Sequence, residues 1–449
     1  MDFKTKPYEH QEECFNLIKD KPYYALFLEP GLGKTKIALD VITYRKCESK
    51  NYRALVVCPN TITENWLQEI CTHSNLQATT LTGGKKRRLV NLSHEKDLYI
   101  INYEGVSTIK DALEQKKFDL LVLDESHYVK SHKSIRSKAC FVLSKTIPHR
   151  LLLTGTPVMN NPLDIFAQFR CLNPVIFGNS FYRFRAYYAV MGGYGNYQVI
   201  KWINMNIFKR RLFSCAVRKT KEECLDLPEQ LYQTIKVVMP DEQKEVYKSL
   251  KDHFIAEYRD SPVVASVVLT RLIRFSQITA GFTKDVEGVE HAFTKNPKIN
   301  WLVEFISNLD NTRQLVVFTR FRREISMLEQ ELRNNDINFV SLHGDTTERL
   351  DKINKFNNDN SIKVFITNTA TGGLGINLTA ATYAVFLTND YSYGNRVQAE
   401  DRIHRIGQDK NVTYIDVLME HSIDSSIHRI LNKKQSLSDM VMKDIIRMV

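Results

Sequence analysis

The chain has 449 residues, of which 43% are hydrophobic and 25% charged, a balance typical of a globular protein with two or three domains. Its formal net charge of +11 comes with basic clusters at residues 85–88, 209–211, 218–221 and 320–323. One such cluster is most often a solvated surface, but several in one chain favour a polyanionic partner such as nucleic acid. No apolar run approaches the ~20 residues of a membrane span, and the eight cysteines lack zinc-binding spacing. We therefore expect no membrane segment, no structural metal and a reducing compartment.

Near the start of the chain, residues 12–19 predict an amphipathic helix that begins just after Gln11. A glutamine before a nucleotide-binding loop can bind the adenine edge, because its amide offers both a donor and an acceptor. An exposed helix position is the commoner role for such a residue. The interpretation of Gln11 therefore depends on the residues that follow it.

The most informative stretch is residues 26–39, LFLEPGLGKTKIAL, which predicts a strand, a glycine-containing turn and the start of a helix. The glycines allow a sharp turn, so that backbone N–H groups can point at phosphate oxygens at the helix N-terminus. Lys34 would reach the β- and γ-phosphates, and the Thr35 hydroxyl would bind Mg²⁺. The strict phosphate-loop pattern has a glycine where this chain has Leu28, so a simple helix-capping turn remains an alternative for the loop alone.

Four short apolar runs, at residues 53–59, 98–102, 118–123 and 150–153, alternate with helical patterns in the first part of the chain. Runs that are apolar throughout are typical of parallel strands covered on both faces. Their alternation with helices predicts a doubly wound α/β lobe, with its site at the carboxyl ends of the strands.

Two adjacent carboxylates, Asp124 and Glu125, come directly after the apolar run at 118–123. Carboxylates at the end of a buried strand are costly unless a cation or a reaction needs them. Asp124 would hold magnesium through water, and Glu125 would orient and deprotonate the attacking water.

From about residue 177 to 208, aromatic residues crowd together with arginines between them. Glycines at 192, 193 and 195 separate two strand-like runs, which predicts a β-hairpin. Core packing is the first interpretation of these aromatics, and a surface that stacks on bases or wedges a duplex is the alternative. We hypothesise that the hairpin at 188–202 acts at a duplex junction.

The second half of the chain repeats the α/β pattern. Residues 225–282 predict a strand followed by helices, and apolar strands alternate with helices again from residue 314. A helix is predicted over 398–408, bearing Arg402, His404 and Arg405. At the coarsest level the chain contains the same kind of lobe twice.

These motifs match, in order, those of superfamily-two helicases, and they resemble most the Swi/Snf-type translocases. The resemblance rests on the phosphate loop, on Asp-Glu-Ser-His at 124–127, on Thr-Gly-Thr-Pro at 154–157, and on the runs at 372–378 and 398–408. It covers nearly the whole chain, and the run at 398–408 is its most diagnostic part. The fold class that it implies is α/β, with two RecA-like lobes built on parallel sheets and an inserted mixed helical and β-hairpin region between them.

The resemblance implies three domains, with bounds at residues 1–176 for the first lobe, 177–294 for the inserted region and 295–449 for the second lobe. ATP would bind in the cleft between the lobes, and Arg402 and Arg405 would reach across from the second lobe to stabilise the transition state. Closing and opening of the cleft would then become steps along DNA.

The resemblance also carries functional residues onto this chain. It assigns nucleotide binding to Gln11, Gly31, Leu32, Gly33, Lys34, Thr35, Lys36 and Gly375. It assigns catalysis to Lys34, Asp124, Glu125, Arg402 and Arg405, and magnesium binding to Thr35 and Asp124. It assigns DNA contact to Pro59, Asn60, Thr61, Asn102, Tyr103, Thr319, Arg320, His343, Gly344, Thr367, Asn368 and Thr369. It assigns coupling of the ATP state to DNA contact to Thr154, Gly155, Thr156 and Gln398.

The sequence shows no bromodomain-like, chromodomain-like or zinc-binding pattern, and it resembles the compact phage helicases that process forks and migrate branches. We therefore expect an ATP- and Mg²⁺-dependent DNA helicase or translocase, monomeric and cytoplasmic, in the host cytoplasm if the source is viral. DNA repair, recombination and replication are the expected settings. The alternative is a duplex translocase that displaces bound proteins without separating strands. The intact catalytic residues argue against a DNA-binding protein without enzymatic activity.

Overall fold

The structure is a computed structural model that describes residues 3–193, 198–260, 265–285, 287–310, 312–343, 349–369 and 376–442. The chain forms two compact units, one comprising residues 1–226 and 434–449 and the other residues 227–433. No helix in the described part of the chain combines the length and the apolar composition that a membrane span requires.

The first unit is built on short strands, of which β1, β2, β4 and β5 are almost entirely buried. In chain order its strands are β1 Tyr23–Leu28, β2 Ala54–Cys58, β3 Ala78–Thr80, β4 Leu98–Asn102, β5 Leu120–Asp124, β6 His149–Leu153, β7 Ala189–Gly192, β8 Gln198–Trp202 and β9 Ala216–Lys219. Seven of them form one sheet in the order β3-β4-β2-β5-β6-β1-β9, in which every pair is parallel. The strands β7 and β8 form a separate antiparallel hairpin.

The helices of this unit connect the strands and cover the sheet. They are α1 Glu9–Ile18, α2 Lys34–Glu48, α3 Thr63–His73, α4 Lys85–Ser93, α5 Tyr103–Thr108, α6 Lys110–Lys116, α7 Ile135–Ser144, α8 Ile165–Leu172, α9 Pro174–Phe177, α10 Phe181–Tyr188, α11 Met205–Phe213 and α12 Lys221–Cys224. Because helices follow parallel strands, the carboxyl ends of β1, β5 and β6 meet at one edge of the sheet, where the predicted nucleotide-binding residues lie.

The second unit repeats this architecture. Its strands are β10 Gln230–Val237, β11 Phe282–Lys284, β12 Glu290–Ala292, β13 Gln314–Thr319, β14 Phe339–Leu342, β15 Val364–Asn368, β16 Ala381–Phe386 and β17 Val412–Met419. Six of them form a parallel sheet in the order β10-β17-β16-β13-β15-β14. The remaining helices are α13 Asp241–Asp260, α14 Ala265–Thr279, α15 Pro297–Ser307, α16 Arg322–Asn334, α17 Arg349–Asn358, α18 Tyr393–Glu400 and α19 Ile423–Met442. The residues of α19 from Lys434 onward belong to the first unit. The predicted fold class, two α/β lobes with parallel sheets, is confirmed.

The predicted middle region, residues 177–294, is divided between the two units at Asp226. The strand β9 pairs in parallel with β1 and extends the first sheet, whereas β10 pairs along its whole length with β17 and extends the second. The predicted β-hairpin is present as β7 and β8. The chain therefore changes unit in the short segment between β9 and β10.

The helix predicted over 398–408 is wrong in extent, because α18 ends at Glu400. The following residues form a loop in which Gly407 has a φ of +96°, a conformation that suits glycine. The buried Gln408 amide donates hydrogen bonds to the carbonyls of Thr379, at 3.0 Å, and Ala381, at 2.9 Å. These long-range bonds fix a loop where the local pattern indicates a helix.

Candidate nucleotide site and DNA-contacting surfaces

The phosphate loop connects the buried end of β1 to the first turn of α2. Gly31 has a φ of +90° and Gly33 a φ of +75°, and Gly33 is the N-cap of α2. Residues with a side chain rarely adopt these angles, so the two glycines are what allows the loop to turn. The turn leaves the first N–H groups of α2 free of helical partners, as an anion-binding loop requires.

Lys34 places its charge beneath this loop. Its side chain is 9% exposed, and its Nζ donates to the carbonyl of Leu28 at 2.9 Å and to that of Glu29 at 3.5 Å. Thr35 follows in the first turn of α2 and is partly exposed. The structure thus places a cation and a hydroxyl at the loop, and their roles toward phosphate and Mg²⁺ stay predictions.

Gln11 lies directly against the phosphate loop, although it is far from it in sequence. A Cβ atom at Gly33 would come within 2.2 Å of the Gln11 Nε2 atom, so the two residues are packed closely together. The amide oxygen of Gln11 accepts from the Tyr8 N–H at 3.0 Å, and its Nε2 donates to the carbonyl of the buried Leu32 at 3.4 Å. Adenine recognition by Gln11 stays a prediction, and it would require these bonds to be exchanged.

Lys36, also assigned to the nucleotide, points elsewhere in the structure. It is 3% exposed and forms an ion pair with Asp40 one turn further along α2, with Nζ 2.6 Å from Oδ1. Its Nζ also lies 4.9 Å from the centre of the Phe3 ring. The Lys36 side chain therefore holds α2 in place, and only its backbone can face a nucleotide.

Asp124 ends β5 and is held by three hydrogen bonds. The Trp66 Nε1 donates to its Oδ2 at 2.8 Å, the Glu125 N–H donates to its Oδ1 at 2.9 Å, and the Tyr103 hydroxyl donates to its carbonyl oxygen at 2.7 Å. Burial raises the pKa of Asp124 to about 6, and the charge of Glu125 adds to the rise. The Trp66 hydrogen bond and the charge of Lys34 oppose this rise in pKa. No local pattern in the sequence indicates that Trp66 bonds Asp124.

Glu125 adopts a left-handed backbone conformation, with a φ of +48°. This is uncommon for a residue other than glycine, and it is a conformation that clusters at functional sites. Its Oε2 lies 3.2 Å from His127 Nδ1 and accepts from the Thr154 hydroxyl at 3.4 Å. Burial alone would raise the pKa of Glu125, but the bond from His127 and the charges of His127 and Lys34 outweigh it and lower the pKa. The group is thus kept ionised, as a general base must be.

The predicted coupling residues contact both the phosphate loop and the segment that carries the carboxylates. The Thr154 hydroxyl bonds Glu125 and also accepts from the Thr156 N–H at 3.1 Å. A Cβ atom at Gly155 would come within 2.6 Å of the Pro30 ring, so this glycine packs closely on the phosphate loop. The Thr-Gly-Thr-Pro segment therefore contacts the phosphate loop through Gly155 and the carboxylates through Thr154.

A second connection between the two motifs was missed by sequence reasoning. The fully buried Ser126 donates to the Oε1 atom of Gln168 at 2.7 Å, and the Nε2 atom of Gln168 donates to the carbonyl of Pro157 at 2.8 Å. One side chain on α8 thus bridges the Asp-Glu-Ser-His segment and the Thr-Gly-Thr-Pro segment. A buried glutamine in an apolar helix is a signal that could have been noticed, because buried amides are almost always hydrogen-bonded.

The residues around the loop fit a magnesium–nucleotide complex. Thr35 offers a hydroxyl and Asp124 a carboxylate, the hard oxygen donors that Mg²⁺ prefers, and each Asp124 oxygen retains a free lone pair beyond its one hydrogen bond. Lys34 would supply positive charge for the phosphates. Bound Mg²⁺ would neutralise charge on the phosphates, and Glu125 would take the proton of the attacking water.

We expect the Mg²⁺-dependent ATPase rate to fall about tenfold per pH unit below about pH 6. Asp124 must be ionised to bind magnesium, and its pKa is raised, so protonation as the pH falls through this value removes the ligand. The Trp66→Phe variant lacks the indole N–H that favours the carboxylate, so its acid limb should lie roughly one pH unit higher. A pH profile of kcat/KM for both proteins provides the measurement. An acid limb near pH 4, or one that Trp66→Phe leaves in place, would contradict the assignment.

The DNA contacts predicted in the first unit differ in exposure. Asn60 and Thr61 are exposed in a 3₁₀ turn after β2, whereas Pro59 is buried. Asn102 is 9% exposed, and its Oδ1 accepts from Arg88 of α4 at 2.9 Å. Tyr103 is fully buried and bonds Asp124, so its side chain supports the carboxylate. Direct DNA contact therefore stays a proposal for Asn60 and Thr61, and Arg88 is a cation beside Asn102.

The contacts predicted in the second unit gather at one edge of its sheet. Thr319 and Asn368 are opposite each other at the ends of β13 and β15, and β14 lies beside β15. The side chains of Thr319, Thr367 and Thr369 are buried. Arg320, His343 and Asn368 are partly exposed, which makes them the candidates for contact through a side chain. Gly344, of the same predicted set, lies outside the described residues.

The two arginines predicted to complete the site lie in the loop after α18. Arg402 is 5% exposed, and its carbonyl accepts from the Leu378 N–H at 3.0 Å. Burial lowers the pKa of Arg402 to about 10, and the charge of Arg405 adds to this effect. A buried guanidinium beside a second cation is a place where a bound anion would be stabilising. Arg405 and Gln398 are partly exposed, and Gly375 lies outside the described residues.

Two models of known protein families match the chain, each over a different range. The model of the SNF2-related domain matches residues 22–280, and that of the helicase conserved C-terminal domain matches residues 297–407. The first match alone spans more than half of the chain. The chain belongs to the SNF2-related family.

Three curated relatives illustrate the range of the family. The chain is 26% identical to the human DNA excision repair protein ERCC-6, over 93% of this chain and 31% of that protein. It is 24% identical to the ATP-dependent helicase fft1 of Schizosaccharomyces pombe, over 93% and 50%. It is 26% identical to the SWI/SNF-related matrix-associated actin-dependent regulator of chromatin subfamily A-like protein 1 homolog of Caenorhabditis elegans, over 95% and 60%. The chain thus spans between 31% and 60% of the length of these relatives.

A solved structure is similar to this member of the SNF2-related family across nearly its whole length. It is the Sulfolobus solfataricus SWI2/SNF2 ATPase core in complex with dsDNA, 23% identical, with a TM-score of 0.48 and coverage of 98% of this chain and 93% of that one. The family matches confirm the predicted Swi/Snf-type helicase family. They also support the predicted enzyme class, an ATP hydrolase of the helicase type.

Proposed function

We propose that this SNF2-related chain is a DNA-dependent ATP hydrolase that moves along DNA and unwinds or branch-migrates forked and branched DNA. ATP and Mg²⁺ would be bound by the phosphate loop and Asp124, with Glu125 as general base. The activity rests on the family membership and on the geometry of the first unit. The preference for forks rests on the resemblance to compact branch-migrating helicases.

The observation that carries the proposal is that three separate segments meet at one nucleotide-binding edge. Lys34 is close enough to both carboxyls for its charge to oppose the rise in the pKa of Asp124 and to contribute to the lowered pKa of Glu125. Gly155 packs on the phosphate loop, while its neighbour Thr154 bonds Glu125. A glycine turn that merely caps a helix would need none of these partners.

The second unit contributes the predicted arginines and the cluster of partly exposed polar residues at the ends of β13, β14 and β15. We propose that Arg402 and Arg405 stabilise the charge of the transferring phosphoryl group, so that hydrolysis depends on both units. Contact with DNA through phosphates would make binding sensitive to salt and largely indifferent to sequence. Repair-related and chromatin-related relatives both occur in the family, and this supports the alternative of a duplex translocase that displaces proteins without separating strands.

We expect the purified protein to separate the strands of a labelled fork in the presence of ATP and Mg²⁺, in an assay run beside displacement of a triplex-forming strand from duplex DNA. Fork unwinding requires strand separation, whereas triplex displacement requires only movement along the duplex. Omission of ATP is the control for spontaneous melting in both assays.

The outcomes separate the two functions. Fork unwinding, with or without triplex displacement, supports the proposal. Triplex displacement with an intact fork would overturn the preference for forks and establish the duplex translocase. ATP turnover that no DNA stimulates would overturn both.

A further inference from the structure

The positive charge of the chain is concentrated in one segment. Between Asp164 and Glu222 no acidic residue occurs, while ten of the 62 lysines and arginines fall there. The rest of the chain holds 52 basic and 51 acidic residues and is close to neutral. The net charge of +11 is therefore almost wholly that of residues 165–221, which include α10, the β-hairpin and α11.

A buried aromatic cluster packs α10 and α11 of this segment against the core of the first unit. Phe177, Phe184, Tyr188 and Phe208 are each less than 10% exposed and meet edge to face or tilted, with ring centres 5.0 to 6.2 Å apart. These four aromatics are thus core, as the first interpretation of the sequence has it, whereas Tyr182 and Tyr187 are exposed. Tyr188, the first residue of the hairpin hypothesis, is 1% exposed and is unable to stack on a base.

The opposite face of α10 is exposed and carries a different set of side chains. Tyr182 is 62% exposed and Tyr187 is 44% exposed, and Arg183 lies between them on the same face. Arg211 of α11 stands over the Tyr187 ring, with its Cζ 5.8 Å from the ring centre, and its Nη1 donates to the Tyr188 hydroxyl at 3.4 Å. We call Tyr182, Arg183, Tyr187 and Arg211 the tyrosine–arginine patch.

The arginines of this patch form no ion pair with a carboxylate within the described ranges of the chain. Arg185, on the flank of the patch, stacks on Tyr182, with its Cζ 5.6 Å from the ring centre. The patch thus presents aromatic rings in contact with cations, and the charges of Arg183 and Arg211 are not balanced by a carboxylate in the part of the chain that the structure describes.

We infer that the tyrosine–arginine patch binds single-stranded DNA, with bases stacked on the tyrosines and phosphates held by Arg183 and Arg211. This inference rests on the proposed function for its choice of DNA as the ligand. It assigns a surface on residues that belong to none of the helicase motifs in the sequence.

The chemistry of the patch selects an unpaired strand over a duplex. Bases in a duplex are stacked on one another, so an exposed ring has no base face to cover. An unpaired strand exposes base faces, and an exposed tyrosine beside arginine is the pair of groups that binds them without sequence preference. Fork and branch substrates contain such strands next to duplex, so the patch would hold the strand that the motor releases.

We expect the double variant Tyr182→Ala/Tyr187→Ala to bind an oligothymidylate roughly 10- to 100-fold more weakly than the unaltered protein, with no change for a blunt duplex. The variant Tyr182→Phe/Tyr187→Phe retains the rings and should restore binding. In Arg183→Ala/Arg211→Ala, the slope of log affinity against log salt should fall by roughly 0.7 for each phosphate that is no longer neutralised. Lys244→Ala/Lys248→Ala, on the exposed face of α13, removes the same charge and should leave oligothymidylate binding unchanged.

Three outcomes would overturn the inference. Equally weakened binding of oligothymidylate and blunt duplex would make the patch a general phosphate-binding surface. An unchanged affinity for both would mean that the patch serves a partner other than DNA. If Lys244→Ala/Lys248→Ala weakened oligothymidylate binding as much as Arg183→Ala/Arg211→Ala does, the effect would be due to net charge and not to the patch. ATPase stimulated by blunt duplex tests the proposed function separately, because the patch variants should retain it.

Discussion

The Glu125→Gln variant is expected to lose about 10²- to 10⁴-fold in DNA-stimulated ATP hydrolysis while retaining its affinity for DNA. Glutamine keeps the shape of the side chain and an oxygen that can accept from Thr154, so the buried network around it is preserved. It lacks the negative charge that the site maintains by lowering the pKa of Glu125. The reduction should therefore appear in kcat, measured as phosphate release with saturating ATP and DNA.

A matched control is available in the same unit. Glu64→Gln makes the same chemical change at an exposed position of α3 and should leave the ATPase rate within error of the unaltered protein. DNA affinity, measured without ATP, shows whether each variant is folded. An ATPase rate in Glu125→Gln close to that of the control would remove Glu125 from the role of general base.

The Arg405→Ala variant is expected to lose about 10³- to 10⁵-fold in kcat with little change in ATP affinity. The resemblance assigns Arg405 to the transition state, where charge on the transferring phosphoryl group develops, and an interaction made only there changes kcat rather than binding. Arg405 is also the more exposed member of its pair, since Arg402 is 5% exposed and its backbone is held by Leu378. ATP affinity is measured separately with a fluorescent analogue.

Arg333→Ala serves as the control, because Arg333 lies on the exposed face of α16 in the same unit and pairs with Glu329, at 3.3 Å. It should change neither kcat nor ATP affinity. Arg405→Lys separates charge from geometry, since lysine retains the charge but lacks the planar fork of arginine. A weaker ATP affinity in Arg405→Ala that accounts for the whole change in rate would assign Arg405 to ground-state binding.

Much of the nucleotide site could be predicted because its determinants are local. The apolar strands β1 and β5 are nearly fully buried, and period and composition alone indicate such strands. The phosphate loop needs glycines at positive φ, and Gly31 and Gly33 have them. Asp124 and Glu125 follow a buried strand, where an unpaired charge is too costly to occur without a use.

The features that escaped prediction depend on contacts between distant residues. Gln168 bridges two motifs through a bond to Ser126 that lies 42 positions away, and nothing in its neighbours indicates that partner. The strand β9 is short and only partly buried, so its hydrophobic pattern does not indicate a strand of the sheet. Its position is fixed by parallel pairing with β1. The loop after α18 has a helical sequence, but the bonds of Gln408 to Thr379 and Ala381 override it.

The acid-free segment at residues 165–221 also has a consequence for how the protein arrives at its ligand. A molecule whose net charge lies in one region is an electric dipole, and the field of a polyanion turns it before contact is made. Attraction of this kind extends about one Debye length, ~8 Å at physiological ionic strength, so it acts during the last part of the approach. The region around α10 and α11 would therefore be the first to touch, and the order of engagement would be capture by this region and then loading of the motor. A rise in salt concentration would therefore lower the rate of association with DNA at concentrations that do not yet slow movement of protein already bound to DNA.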